Sequence, residues 1–327
     1  MDEMSANRIF DCRISDRALD EIASVFVPAR DALYFNGEEI ANACLEQGIP
    51  VYTRQEFASM YPLFALEYGA VYRLWTMQQS NEMRVLLVHP SELNSLSTQI
   101  RRNLLVQQVR FGRGHIYNAE WMTGFDAHLS TTIDVDGALH SFLTWENWWG
   151  LSSLTRKQWV LRWLQDWVAE DARGVEVGTI PRENTRVPYE IIDEHAGTFG
   201  SKSTGNCFAA AIAMVVGAQN PHRARVLVNE WLHQGPFFRL LDGQAYVKHA
   251  TYLIVRDVVL QPADVLVWYT GEGVAGHAGF AVTDKLIFEK HGQGWDNPWL
   301  VLNLADVWYN EYLKTGGYIE VYRRETV

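Results

Sequence analysis

The chain has 327 residues, 48% of them hydrophobic and 20% charged, with a formal net charge of −11 at pH 7. The length supports two domains, or one with a large elaboration. The acidity, concentrated before residue 180 where 23 Asp/Glu face 15 Lys/Arg, argues against a nucleic-acid groove or an anionic membrane surface as partner.

The first residues, MDEMSANRIFDCRISD, lack the basic and apolar regions of a secretory signal. No run of about 18 apolar residues is present to cross a membrane. The cysteines, Cys12, Cys44 and Cys207, are odd in number and widely spaced, which fits neither a disulfide framework nor a CxxC zinc site. A reducing cytoplasm is the expected compartment. Residues 15 to 48 read as helices: Asp16 can cap ALDEIASVF, and GEEIANACLEQG closes on Gly48. Cys44 sits at a helical apolar position and reads as a core residue.

Residues 68 to 145 are rich in β-branched and aromatic residues, and AVYRLWTMQ, MRVLLVHP, GHIYNAEWM and LSTTIDVDGALHSFLTW read as strands. Within them DVDG marks a hairpin, and SELNSLSTQIRRNLLVQQVRF reads as a helix. Trp159, Trp163 and Trp167 then recur at helical spacing, a docking face or core. Residues 172 to 190 hold two prolines, two glycines and no apolar period, and read as a linker.

Beyond it, 206 to 218 and PHRARVLVNEWLHQG read as helices, with Pro221 at a first helical position. YVKHATYLIV fits helix or strand. ADVLVWY, HAGFAVT, KLIFEK and WLVLNL read as strands, LADVWYNEYLK as a helix and GYIEVYR as a last strand. Helices followed by an antiparallel meander describe an α+β domain. The expected division is an N-terminal mixed helix/strand domain over 1–171, a linker over 172–190 and a second domain over 191–327.

Two motifs match chemistry only on paper. GEGVAG, Gly271 to Gly276, has the GxGxxG spacing but precedes a strand, where a dinucleotide needs a helix N-terminus. DVDG begins like a calcium loop, yet Leu139 and Trp145 stand where Gly and Glu are required. The ten histidines show no metal-ligand spacing. No metal and no cofactor are expected.

The stretch STGNCFAAAIAMVVG carries the chemistry. Asn206 is a good N-cap, and the helix after it bears no charge on any face, so it should be buried all round. That puts the Cys207 thiol at the positive end of a helix, among unpaired amides that favour a thiolate and can receive an oxyanion. The Cys207 amide and Ser201 or Ser203 are the candidate oxyanion donors. A partner imidazole is required. His277 opens a strand after a glycine-rich loop, and alternation puts Gly279 and Ala281 on its face, leaving room for the Cys207 helix. A third group should hold the ring: Glu289 at the end of the next strand, with His291 and Asn297 as competitors. Trp268, Tyr269 and Trp295 are candidate walls of the cleft, or simply core.

GNCFAAAIAMVVG, QPADVLVW and GHAGFAVTDKLIFEKHG together resemble the NlpC/P60 branch of the papain-like cysteine hydrolases, over about residues 195 to 322. Asn206-Cys207-Phe208 stands where that family usually has Asp-Cys-Ser, and Ala263 where it commonly has Gly. The resemblance implies a nucleophile helix packed on an antiparallel sheet, with Cys207 as nucleophile, His277 as base and Glu289 as third residue. It implies a peptidase or amidase acting on a peptide or amide substrate, cell-wall-derived ones among them, through a Cys207 thioester. The alternatives are acyl transfer by the same Cys–His pair, or a silent binding module that docks a protein through its N-terminal domain.

Overall fold

The charge-free run from Cys207 to Gly217 forms an eleven-residue helix, and every residue of it is buried. The structure is a computed structural model that describes residues 7–69, 71–72, 82–112, 114–125, 129, 131–168, 173–203 and 205–325. The expected strand at 70–78 lies mostly outside these residues, as does the side chain of Trp167. The architecture is mixed α+β, with helices and several antiparallel sheets.

Contacts divide the chain into two compact units, Met1–Ala18 with Leu164–Val327, and Leu19–Trp163. The borders differ from the expected 1–171, 172–190 and 191–327. Strands Asn7–Ile9 and Cys12–Ile14 pair with each other. Arg13 then donates to the Gly197 carbonyl at 2.7 Å and accepts from the Phe199 amide at 3.1 Å. Residues 7–18 thus belong with the C-terminal unit. The expected linker is packed rather than free: Val175 donates to the Val301 carbonyl at 2.7 Å, and Ile180 and Val187 are buried in that unit's core.

The first of these units is built on a six-stranded antiparallel sheet. In chain order its strands are β1 (Tyr246–Tyr252), β2 (Val265–Tyr269), β3 (Ala275–Ala281), β4 (Leu286–Lys290), β5 (Trp299–Asn303) and β6 (Tyr318–Arg324). The spatial order is β5-β4-β3-β2-β6-β1. Gly271 to Val274 lie in the turn joining β2 to β3, closed by Thr270 donating to the Val274 carbonyl at 2.9 Å, and Gly276 already belongs to β3. YVKHATY, ambiguous by pattern, is the edge strand β1.

The Cys207 helix packs on the face of this sheet that carries Val265, Val267, Ala278, Phe280 and Phe288. Its alanines let the sheet approach, while each fully buried Ile212 or Met214 adds roughly 1.5–3 kcal/mol of hydrophobic stabilisation. Two expected helices are shorter than their patterns. Pro221–Leu227 ends early and Gln234–Gly243 begins anew; LADVWYNEYLK breaks into two 3-10 turns and Glu311–Lys314.

In the second unit the strand Arg84–Val88 lies between Asp31–Phe35 and Val51–Thr53. Asp31–Phe35 falls inside a stretch expected to be helical; its run of four buried side chains is that of a covered strand. Helices Glu38–Glu46 and Thr98–Arg110 share a core with this sheet, Cys44 included. Ala138–Phe142 pairs with Ile116–Asn118 and Thr131–Val135. The DVDG hairpin turns at Asp136 and Gly137, whose positive φ values of 55° and 85° suit a tight two-residue turn. Trp148, Trp159 and Trp163 are fully buried, so the described part of the tryptophan stripe is core. Among the described residues no helix is long and apolar enough to cross a membrane.

Candidate functional site

Residues just before Cys207 set its position. A Cβ on Gly205 would stand 2.7 Å from the Val228 carbonyl oxygen, so close backbone approach is what requires glycine here. The Asn206 side chain then caps the helix. Its Oδ1 accepts from the Ala209 amide at 3.0 Å, and its Nδ2 donates to the Leu232 carbonyl at 2.9 Å. Cys207 follows as the first helical residue, its thiol free.

His277 comes from β3, next to an irregularity. Trp268 pairs with His277, but Tyr269 pairs with Ala275, which leaves Gly276 out of the ladder. Such a bulge re-aims side chains locally. A Cβ at Gly276 would lie 2.5 Å from the Tyr312 ring, so any larger residue would have to push that ring aside. The expected role of Gly279 is corrected: the core of the Cys207 helix is shared by Ala278 and Phe280, whereas the space at Gly279 is taken by Ile287, 2.4 Å from where a Cβ would stand.

His277 Nε2 donates a short hydrogen bond to Glu289 Oε2. The other ring nitrogen, Nδ1, has no partner in hydrogen-bond geometry. With Nε2 taken, Nδ1 is the nitrogen left for the thiol, and Cys207 lies near enough to raise the His277 pKa by charge and by hydrogen bonding. Loose alignment of this kind is common before a substrate binds. His277 and Glu289 have no exposed surface, while Cys207 keeps 7%, so access to the trio is over Cys207.

The electrostatics are those of a buried ion pair. Burial pulls the His277 pKa down, but the Glu289 charge and then Cys207 overcome it and lift it to about 9. Burial likewise pushes Glu289 up, and the His277 charge and hydrogen bond outweigh this, bringing it down to about 2. A carboxylate on Nε2 fixes the tautomer and steadies the imidazolium.

The expected residues thus separate. Cys207, His277 and Glu289 come together. His291 does not reach His277's nitrogens but approaches Glu289, its Nδ1 3.8 Å from Oε1. Asn297 lies instead beside Gly292. Ser203 donates to the Gln293 carbonyl at 3.4 Å. Trp268 and Trp295 are buried, Trp268 donating to Asn310 at 2.9 Å, and Tyr269 stacks on Tyr318. All three belong to the core.

Pattern reading missed Tyr309, which stacks on the His277 ring with centroids 3.9 Å apart and donates to the His291 carbonyl at 2.9 Å. It lies in a short 3-10 turn without periodicity. Lys290 was also missed, although its parity with Leu286 and Phe288 marks a lysine on an inward position. Among the described residues no group of three or more His, Cys, Asp or Glu could hold a metal ion. Compared with known proteins, the chain matches no family model, no curated protein and no solved structure.

Proposed function

We propose that the chain is a cysteine hydrolase of the NlpC/P60 type that cleaves a peptide or amide bond. One observation supports this above the others. A cysteine on a helix N-terminus, a histidine and a glutamate from separate elements converge, with the glutamate on Nε2 and the far nitrogen left for the thiol. A buried ion pair kept only for stability has no need of a thiol beside it.

The chemistry follows from the atoms. His277 enters the reaction protonated on Nδ1, having already taken the Cys207 thiol proton, and Sγ attacks the substrate carbonyl carbon. The tetrahedral oxyanion is met by free amides at the helix N-terminus, that of Cys207 among them. The C–N bond breaks as His277 delivers the proton to the leaving amine. Water, giving a proton to Nδ1, then splits the thioester and restores the thiol. Glu289 stays ionised throughout.

The reading includes a reducing compartment such as the cytoplasm, in which Cys12, Cys44 and Cys207 remain free. Its test is acyl-enzyme trapping. The protein is mixed with peptide amides and cell-wall peptide fragments, quenched in acid and analysed by mass spectrometry. An acyl adduct on the Cys207 peptide, absent in Cys207→Ser and scarce in His277→Ala, is expected. Added amines that become acylated would shift the assignment to acyl transfer. Absence of any adduct across the panel, with the protein folded, would count against both.

A further inference from the structure

Lys290 is only 1% exposed, yet it ends β4 on the face that helps form the core of the Cys207 helix. Its hydrogen bonds go to backbone rather than to a carboxylate: Nζ donates to the Gly292 carbonyl at 2.7 Å and to the Gly294 carbonyl at 3.1 Å. Nζ also stands 5.2 Å from the centre of the Trp299 ring, a cation–π distance. Both carbonyls belong to the loop 291–298, and that loop is stitched to the segments around the helix N-cap. Ser203 donates to the Gln293 carbonyl at 3.4 Å, and Trp231 Nε1 donates to Gln293 Oε1 at 2.9 Å. Ser203 precedes Asn206, and Trp231 precedes the Leu232 that Asn206 holds.

We propose that Lys290 is a positioning residue for the Cys207 site: its buried ammonium group fastens the 291–298 loop beside the helix N-cap and presents a positive charge to Cys207. This rests on the reading of Cys207 as the reacting atom. The charged groups facing Lys290 are Asp296, from the loop, and Cys207, from the helix; both oppose burial, the larger influence, which brings the lysine down to about 7. Burial raises the Asp296 pKa in turn, and its Oδ1 has no hydrogen-bond partner. His291 faces both Asp296 and Glu289.

The test compares two alkylating reagents of nearly equal size, anionic iodoacetate and neutral iodoacetamide, on Cys207 at about pH 6.5, by peptide mass spectrometry. Loss of the lysine charge in Lys290→Met should lower the iodoacetate-to-iodoacetamide rate ratio about threefold. A merely structural loosening changes both rates alike and leaves the ratio unmoved. An unchanged ratio in the folded variant overturns the proposal.

Should Lys290→Met fail to fold, the same ratio is read at about pH 6.5 in Lys290→Gln, whose amide can still donate to the loop carbonyls but carries no charge, and a ratio equal to that of the wild type overturns the proposal. The readout needs no substrate. A ratio that responds to Lys290 without any acyl-enzyme would sink the hydrolase reading alone.

Discussion

The Tyr309 ring lies on the His277 ring at 5° from parallel, with 3.9 Å between centroids. Glu289 holds one edge of the imidazole and Tyr309 one face, so the ring has little freedom to tilt. Tyr309→Ala should cost about 2 kcal/mol for a half-buried aromatic, and it should slow any Cys207-dependent reaction further by freeing the imidazole. Tyr309→Phe keeps the stack and loses only the hydrogen bond to the His291 carbonyl, about 1 kcal/mol. Urea melts of both variants check this. Equal losses would mean that the hydroxyl, not the stack, is what matters.

Burial raises the Cys12 and Cys44 thiols to about 11. At neutral pH both should stay almost wholly protonated and react slowly. Cys207, beside His277, should take up iodoacetamide at least about tenfold faster than either. His277→Ala should erase most of that advantage. Peptide mapping after timed labelling reads all three sites in one experiment.

The pH dependence of stability has a definite sign. His277 is raised from 6.5 to about 9, so its contribution is complete below 6.5 and is lost as pH climbs through about 9. Glu289 is lowered from 4.5 to about 2, so its contribution is present above 4.5 and is lost as pH falls through about 2. Lys290, lowered from 10.5 to about 7, works in the opposite direction: stability rises with pH between those values. The His277 slope is therefore seen as a difference. Wild type minus Glu289→Gln, measured by urea unfolding, should be largest from about pH 5 to 6.5 and shrink toward pH 9. Glu289→Gln itself should cost about 3 kcal/mol at pH 6, because it strands a buried imidazolium. A difference that does not vary with pH would show that the two groups do not form an ion pair.

Two backbone positions make opposite predictions. Ala263 sits at φ 75°, left-handed territory that penalises a side chain. Ala263→Gly should stabilise the protein by about 1 kcal/mol. Gly205→Ala would press a Cβ against the Val228 carbonyl, which cannot rotate aside, and should cost about 2 kcal/mol while displacing the Cys207 N-cap. Thermal melts of both variants test the pair; a destabilised Ala263→Gly would contradict the strain.

The helix cap, the strands of the meander and the three converging residues were legible because each rests on a local signal: Asn206 before an uncharged run, alternation in ADVLVWY, a histidine after glycines. What failed was non-local. Asp31–Phe35 lacks alternation because both its faces are covered. Gly279 was matched to the wrong neighbour, since only the sheet's register shows that Ile287 takes its space. The leading strands are too short, three residues each, to announce themselves. Tyr309 meets His277 through a turn whose path no periodicity encodes.

The hydrogen bonds between Arg13 and the Gly197–Phe199 segment carry a consequence for biosynthesis. Trp299 donates to the Thr198 carbonyl at 3.1 Å, so the leading strand, that segment and β5 form one continuous ribbon. The ribosome releases Arg13 long before Trp299. The unit holding the candidate site can thus close only after Trp299 has emerged, whereas Leu19–Trp163 has all its own residues much sooner. Because the entropy of closing so long a loop grows only logarithmically, the delay costs time rather than stability. A recombinant fragment starting after residue 163 would emerge without its first strand and with that edge of the sheet bare.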